Sequence, residues 1–218
     1  MARTRPILLG ILAALTISGI ATAAASASEF IIEKSGIKES LTVALHGAFT
    51  STTSILKGEI LGEKVEIVST AGTGTFSIGP NGTSTYSITL SGNTIKEAGK
   101  EAISGCTVPS ISSSGFGQLL PKAVEGHILN TFYGPEDTEA GEFFTVKVQG
   151  SKCGLKGSYK VTGNLSCPLW DIYFPYILDI LWLKTEGQDL ELDERAATLE
   201  GKISLELYDE VPFEAVES

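Results

Sequence analysis

Apolar residues recur at every second position over long parts of this chain. Lys64-Val65-Glu66-Ile67-Val68 shows the period, and Thr75-Phe76-Ser77-Ile78 and Thr85-Tyr86-Ser87-Ile88-Thr89-Leu90 repeat it. Successive side chains on a strand point to opposite faces, so this pattern predicts strands with one buried and one wet face. Gly79-Pro80-Asn81-Gly82 separates the last two runs. It supplies one fixed φ and residues that tolerate positive φ, which predicts a hairpin. Further strands are predicted at 127–133, 142–148, 157–163, 189–193 and 202–207. In the last, Ile203, Leu205 and Leu207 share a face opposite Lys202, Ser204 and Glu206.

Such spacing, with Gly-rich turns, predicts an all-β fold: an antiparallel β-sandwich or open barrel. Short helices are expected only near 94–103 and 116–123. Pro109, Ser110, Ser112, Ser113, Ser114, Gly115 and Gly117 make 109–126 loop-like, either a seam between two β halves or, as preferred here, a long connection within one domain spanning 28–218. The most apolar internal stretch is 169–183, with Trp170, Tyr173, Phe174, Tyr176 and Trp182. Asp171, Asp179 and Pro175 interrupt it, which excludes a membrane helix and disfavours a continuous helix. Two core strands fit, and so does a strand followed by a short helix from Pro175. A membrane-spanning barrel is disfavoured, because its strands need apolar outward faces and aromatic girdles, where this chain offers Ser, Thr and charge.

The first 27 residues follow a different pattern. Arg3 and Arg5 precede an uncharged apolar run from Ile7 to Ile20, and the segment ends Ala25-Ser26-Ala27. This is the form of a cleavable export signal, with cleavage expected after Ala27 and Ala25 as the rival position. The apolar run is short for a spanning helix. The chain carries a net charge of −10; loss of Arg3 and Arg5 would take the exported part to about −12. That charge disfavours nucleic acid and anionic membranes as partners.

Export sets the expectation for the three cysteines, Cys106, Cys153 and Cys167. An oxidising compartment predicts one disulfide and one spare thiol. Cys106–Cys153 is favoured, since it would tie down the long connection, while Cys153 and Cys167 flank a segment that reads as a hairpin. A catalytic Cys would need a base, and His46 and His127 are the histidines available.

Catalytic signatures are scarce. The chain has no G-x-S-x-G, H-E-x-x-H, phosphate-binding glycine loop or C-x-x-C. No cofactor or metal site is predicted. Asp189, Glu191 and Asp193 share one strand face and read as solvated, as do Glu136, Asp137, Glu139 and Glu142 beside Gly134 and Pro135. Trp170, Tyr173 and Trp182 are the candidate ligand-binding residues, because flat rings on a β surface stack on the apolar faces of sugars. The competing expectation is that they fill the core. Asn81-Gly82-Thr83 and Asn164-Leu165-Ser166 match the N-glycosylation sequon.

Residues 190–207, from Leu190-Glu191-Leu192-Asp193-Glu194-Arg195 to Gly201-Lys202-Ile203-Ser204-Leu205-Glu206-Leu207, resemble a closing segment found in uncharacterised secreted proteins of soil actinobacteria. Lys152-Cys153-Gly154-Leu155-Lys156-Gly157-Ser158-Tyr159-Lys160-Val161-Thr162-Gly163 is similar to the same group. The resemblance implies an exported β-rich protein and assigns no functional residues. Pattern and resemblance together lead to the expectation of a secreted or cell-surface protein with a structural or binding role, its partner an extracellular glycan or protein. The alternative is a small secreted glycan-directed hydrolase with a dispersed carboxylate or serine site.

Overall fold

The computed structural model describes residues 28–124, 127–134, 141–169, 177–182 and 189–217, with side chains described outside 121–133, 167–169, 177–182 and 217. Strand β1 (Ser28–Lys34) turns into β2 (Ile37–Ser40) through Ser35 and Gly36, both at positive φ. The chain then enters β3 (Leu45–Ile60), the longest strand described. β4 (Glu63–Ser69) and β5 (Ala71–Ile78) lie end to end along one edge of β3. β6 (Thr83–Ser91) and β7 (Thr94–Glu97) repeat the arrangement, β6 against β5 and β7 against β4.

β8 (Ile111–Val124) pairs with β6 and then with β9 (His127–Tyr133). Both β9 and β10 (Glu142–Val148) line β11 (Gly157–Leu169). β12 (Ile177–Trp182) and β13 (Asp189–Leu192) line β14 (Arg195–Leu207), and β13 also pairs with β11. β14 finally pairs with β3, from Thr198 opposite Lys57 to Leu207 opposite Gly47. The ladder thereby returns to its first strand. With each end-to-end couple taken as one stave, eight antiparallel staves run up and down around a barrel. Closure removes the free edges that an open sheet would expose.

The wall has a gap between β8 and β10, and another between β11 and β12, where among the described residues no ladder pairing joins the neighbours. Residues 111–115 of β8 run beside β10, but among the described residues no ladder pairing joins them. Ser113 bridges the gap, its Oγ donating to the Phe143 carbonyl at 2.6 Å.

Inside, alternation fills the barrel with side chains. Phe49, Leu56, Val65, Ile67, Ile88, Leu90, Val146, Val161, Leu192 and Leu199 are all buried. β3 changes phase midway: Lys202 faces Thr53 while Ile203 faces Ser51, so Thr52 is an extra residue. Inward positions are therefore 45, 47, 49 and 51 before this bulge, and 54, 56, 58 and 60 after it. A bulge of this kind bends a strand and helps a sheet to curl.

The two ends of the barrel are finished differently. A small second sheet, β15 (Phe213–Glu217), β1 and β2, packs at the end where β5 turns into β6. Phe30, Ile32, Phe213 and Ala215 are buried there. At the opposite end Cys106 and Cys153 form a disulfide with Cα atoms 4.7 Å apart, joining the β7–β8 and β10–β11 connections. Beside it Thr107 and Gln149 exchange backbone hydrogen bonds of 2.9 and 2.8 Å.

The expected all-β antiparallel architecture is present, and several local expectations are corrected. Of 94–103, expected to be helical, 94–97 is β7, held by ladder bonds to β4. Residues 116–123, also expected to be helical, belong to β8, whose hydrogen bonds go to β6 and β9. The loop-like reading of 109–126 fails for the same reason: Ser112 and Ser114 are the outward, exposed positions of a strand whose inward positions include Ile111 and Leu119. The segment between Cys153 and Cys167 contains the single strand β11 in place of a hairpin. The expected export signal, 1–27, lies outside the described residues. No helix among the described residues is long and apolar enough to cross a membrane.

Candidate functional site

Where the first half of β3, β5, β6 and the start of β8 run side by side, the outward face is rich in hydroxyl residues. The registers of these strands set them in rows. Thr50, Thr73, Thr89 and Ser112 stand opposite one another across four strands, and so do Ala48, Thr75, Ser87 and Ser114. A third row runs His46, Ser77, Thr85 and Phe116, in which Ser77 is buried. It extends to Tyr208, directly beyond the end of β14, whose N–H donates to the His46 carbonyl at 3.0 Å.

β-Branched Thr suits a pleated surface, and small hydroxyls on adjacent strands hydrogen-bond to each other. Ser77 and Thr85 do so at 2.8 Å, and Thr89 and Ser112 at 3.1 Å. Each hydroxyl has one donor and two acceptor lone pairs, so one such bond leaves capacity for a ligand. No Asp, Glu, Lys or Arg stands in these rows on β3, β5, β6 or β8. The nearest along the middle row is Glu206 of β14, opposite Ala48.

Two concavities flank the wall and share Ser87. One, of about 350 Å³, is lined by His46, Thr75, Thr85, Tyr86 and Tyr208, among others. The other, of about 430 Å³, lies over the gap between β8 and β10 and is lined by Ser112, Ser114, Glu142, Thr145 and Lys147, among others. Glu142 accepts a hydrogen bond from Thr145 and pairs with Lys160 at 3.4 Å. Beneath this second groove, Tyr86 and Ser113 hydroxyls lie 3.3 Å apart, and the Tyr86 ring packs on Phe143 with centroids 5.9 Å apart. Burial raises the Tyr86 phenol above its ordinary value, and the Ser113 hydrogen bond opposes the shift only in part.

Exposed aromatic rings end the third row. Tyr208 is 61% exposed and Phe116 is 38% exposed.

Trp170 and Tyr173, two of the three residues expected to bind a ligand, lie outside the described residues. Trp182 is on β12 with its backbone opposite Gly201, and its side chain is outside the description. Cys106 and Cys153 are bonded in the favoured pairing. Cys167 is on β11 opposite Asn130. Asp189 and Glu191 are exposed, with Leu190 and Leu192 buried behind them, as a solvated strand face requires. Of the second acidic cluster, Glu136, Asp137 and Glu139 lie outside the described residues, and Glu142 is the groove residue above. Among the described residues no three His, Cys, Asp or Glu side chains come together as a metal site would need.

The hydroxyl wall was the feature missed from sequence. Its signal is a second period of two, complementary to the apolar one: Thr83, Thr85, Ser87, Thr89, Ser91, and then Ser110, Ser112, Ser114.

Comparison of the chain with family models, with curated proteins and with solved structures finds no match.

Proposed function

We propose that this protein is an exported binding module that takes a neutral, hydroxyl-rich extracellular ligand, a glycan, on the outer wall of its barrel. The observation that carries the reading is the uncharged field of Ser and Thr on four adjacent strands of a chain with net charge −10. A charged polymer would find no counter-charge among those rows. A neutral polyhydroxylated one would find donors and acceptors at each strand crossing and rings at the rim.

Export is supported by the basic, apolar and small-residue succession in 1–27 and by the Cys106–Cys153 bond, of a kind that persists in oxidising compartments. The resemblance to secreted actinobacterial proteins points the same way.

The test is expression of the full chain in a secreting bacterial host. The product recovered from the medium should begin Ser28-Glu29-Phe30. It should sediment with insoluble neutral polysaccharides and not with polyanionic or polycationic ones. Ser87→Lys, which puts a charge at the centre of the wall, should abolish sedimentation while leaving thermal unfolding within a few degrees. Retention of residues 1–27 by the cell-bound protein overturns export, and sedimentation indifferent to Ser87→Lys overturns the binding face.

A further inference from the structure

The gap between β8 and β10 is a slit closed by side chains. Residues 111–115 of β8 give one edge to the ladder with β6, and β10 gives one edge to the ladder with β11. The two edges that face each other share no ladder among the described residues. Three side chains stand in its place. Ser113 donates to the Phe143 carbonyl at 2.6 Å, the Tyr86 and Ser113 hydroxyls lie 3.3 Å apart, and the Tyr86 ring rests on Phe143. Phe143 and Phe144 are each 5% exposed, so the slit is shut. Such a stitch is a weaker closure than a ladder, which adds backbone hydrogen bonds along its whole length.

The two ends of the slit are secured differently. At one end β9 takes over from β10, and Phe116 of β8 pairs with Tyr133. At the other, the connection that precedes β8 meets the connection that follows β10. Thr107 and Gln149 exchange backbone hydrogen bonds there, and a Cβ on Gly150 would fall 1.8 Å from the Gly105 carbonyl oxygen, so the two backbones touch. Cys106 and Cys153 are bonded within this junction. Both are only partly buried, and Ser104, Gly105, Thr107, Ser151 and Lys152 around them are exposed, so a reductant can reach the bond.

From this placement we infer that the Cys106–Cys153 bond is a redox clasp on the slit. Its reduction releases the junction, lets β8 and β10 part, and uncovers Tyr86, Phe143 and Phe144, while the laddered remainder of the barrel stays closed. The reductant is a dithiol. One of its thiolates attacks a sulfur of the bond, freeing the other cysteine and forming a mixed disulfide. Its second thiolate then closes the reductant's own disulfide and frees the remaining cysteine, so two electrons pass to the protein. Local opening of this kind occurs where a fold is least secured, short of global unfolding. The clasp works in this way whatever the hydroxyl wall binds.

The experiment follows the folded protein by NMR before and after reduction with dithiothreitol, under otherwise equal conditions. Amide exchange at Thr107 and Gln149, whose bonds span the junction, should quicken tenfold or more. A fluorescent dye that binds exposed apolar surface should brighten, and exchange across the β3–β5 and β3–β14 ladders should change less than twofold. Uniform quickening, or loss of the folded spectrum, means that the bond holds the whole barrel and overturns the clasp. No change at Thr107 and Gln149 overturns it too, and so does quickening there without added dye binding, which leaves the slit shut. Ser113→Ala gives a second reading with the bond intact. Without the stitch, dye binding of the oxidised protein should rise partway toward the reduced level, and a folded variant that binds no more dye than the parent overturns the role of Ser113 in closing the slit.

Discussion

Phe49 and Gly74 stand directly opposite each other on β3 and β5, and the ring occupies the space a side chain at 74 would need: a Cβ built there falls 2.4 Å from the ring's Cζ. Two positions along, the relationship is reversed, with Gly47 opposite Phe76 and a Cβ at 47 only 2.5 Å from that ring. Each aromatic covers the bare backbone of the facing glycine, a device that pins register in a curved sheet.

Gly74→Ala should therefore destabilise the protein by about 1–3 kcal/mol through overpacking, since the Ser87 carbonyl is also close and cannot withdraw easily. Phe49→Ala should cost about 3–5 kcal/mol through the cavity it leaves. The two residues touch, so Phe49→Leu should recover part of the loss caused by Gly74→Ala. Urea unfolding of the single and double variants measures each term, and strict additivity would show that the pair is not coupled.

The disulfide should be worth more than its position at the rim suggests. Cys106 and Cys153 are 47 residues apart in sequence, and restricting that loop in the unfolded chain should add about 4 kcal/mol of stability. Cys106→Ser paired with Cys153→Ser should lower stability by an amount of that order. The parent with reductant should match the double variant in denaturant unfolding. Mass analysis of peptides cut without reduction should recover the two cysteines linked.

Alkaline pH should expose the buried phenol. Burial raises Tyr86 in the folded state above the ordinary value of 10.0, so folding disfavours its anion. The corresponding stability is fully present below pH 10 and is lost as pH rises from there toward the folded-state value. Absorbance titration near 295 nm should show a tyrosine that ionises late. Tyr86→Phe should flatten the fall in stability above pH 10, and an unchanged alkaline profile would count against the assignment.

Closure of the barrel should survive the loss of its surface ion pair. Lys57 and Glu200 meet at 2.8 Å across the β3–β14 seam, but both side chains are more than a third exposed. The Glu200 hydrogen bond raises Lys57 above its ordinary value, with the charge of Glu200 adding to it. Solvent screening leaves such a pair worth less than about 1 kcal/mol. Lys57→Met should change the unfolding midpoint only slightly. A large loss would mean that the side chains, and not the β3–β14 backbone ladder, hold the seam.

Much of the fold was legible because inward positions on several strands are apolar: Val65 and Ile67, Ile88 and Leu90, Ile203 and Leu205 announce their strands. β3 was not legible, although it is the strand against which the barrel closes. Its inward positions include Gly47, Ser51, Ser54 and Gly58, and the extra Thr52 shifts the phase midway, so no apolar period survives. β8 was misread for a related reason, since Ser112, Ser113 and Ser114 look like a linker until the register shows which of them face in. The disulfide pairing was anticipated for a reason that did not hold: 109–126 is largely strand β8, and the bond ties the β7–β8 connection to the β10–β11 connection. The hydroxyl wall could not be seen as a surface from sequence, because it exists only when the registers of four strands are known.

The sheet formed by β15, β1 and β2 joins opposite extremes of the described residues, with Ser28 facing Glu217 and Ile32 facing Phe213. The β3–β14 seam is likewise made by segments more than a hundred residues apart. Both pairings become available only when the C-terminal part of the polypeptide has appeared. Until then β1 has a bare edge and the staves have nothing to close upon. Folding dominated by such distant pairings is slow. Under the export proposed above, that slowness would be an advantage: an early, self-sufficient nucleus would jam passage of an extended thread, whereas these pairings would keep the N-terminal half from locking until its counterpart had followed it through.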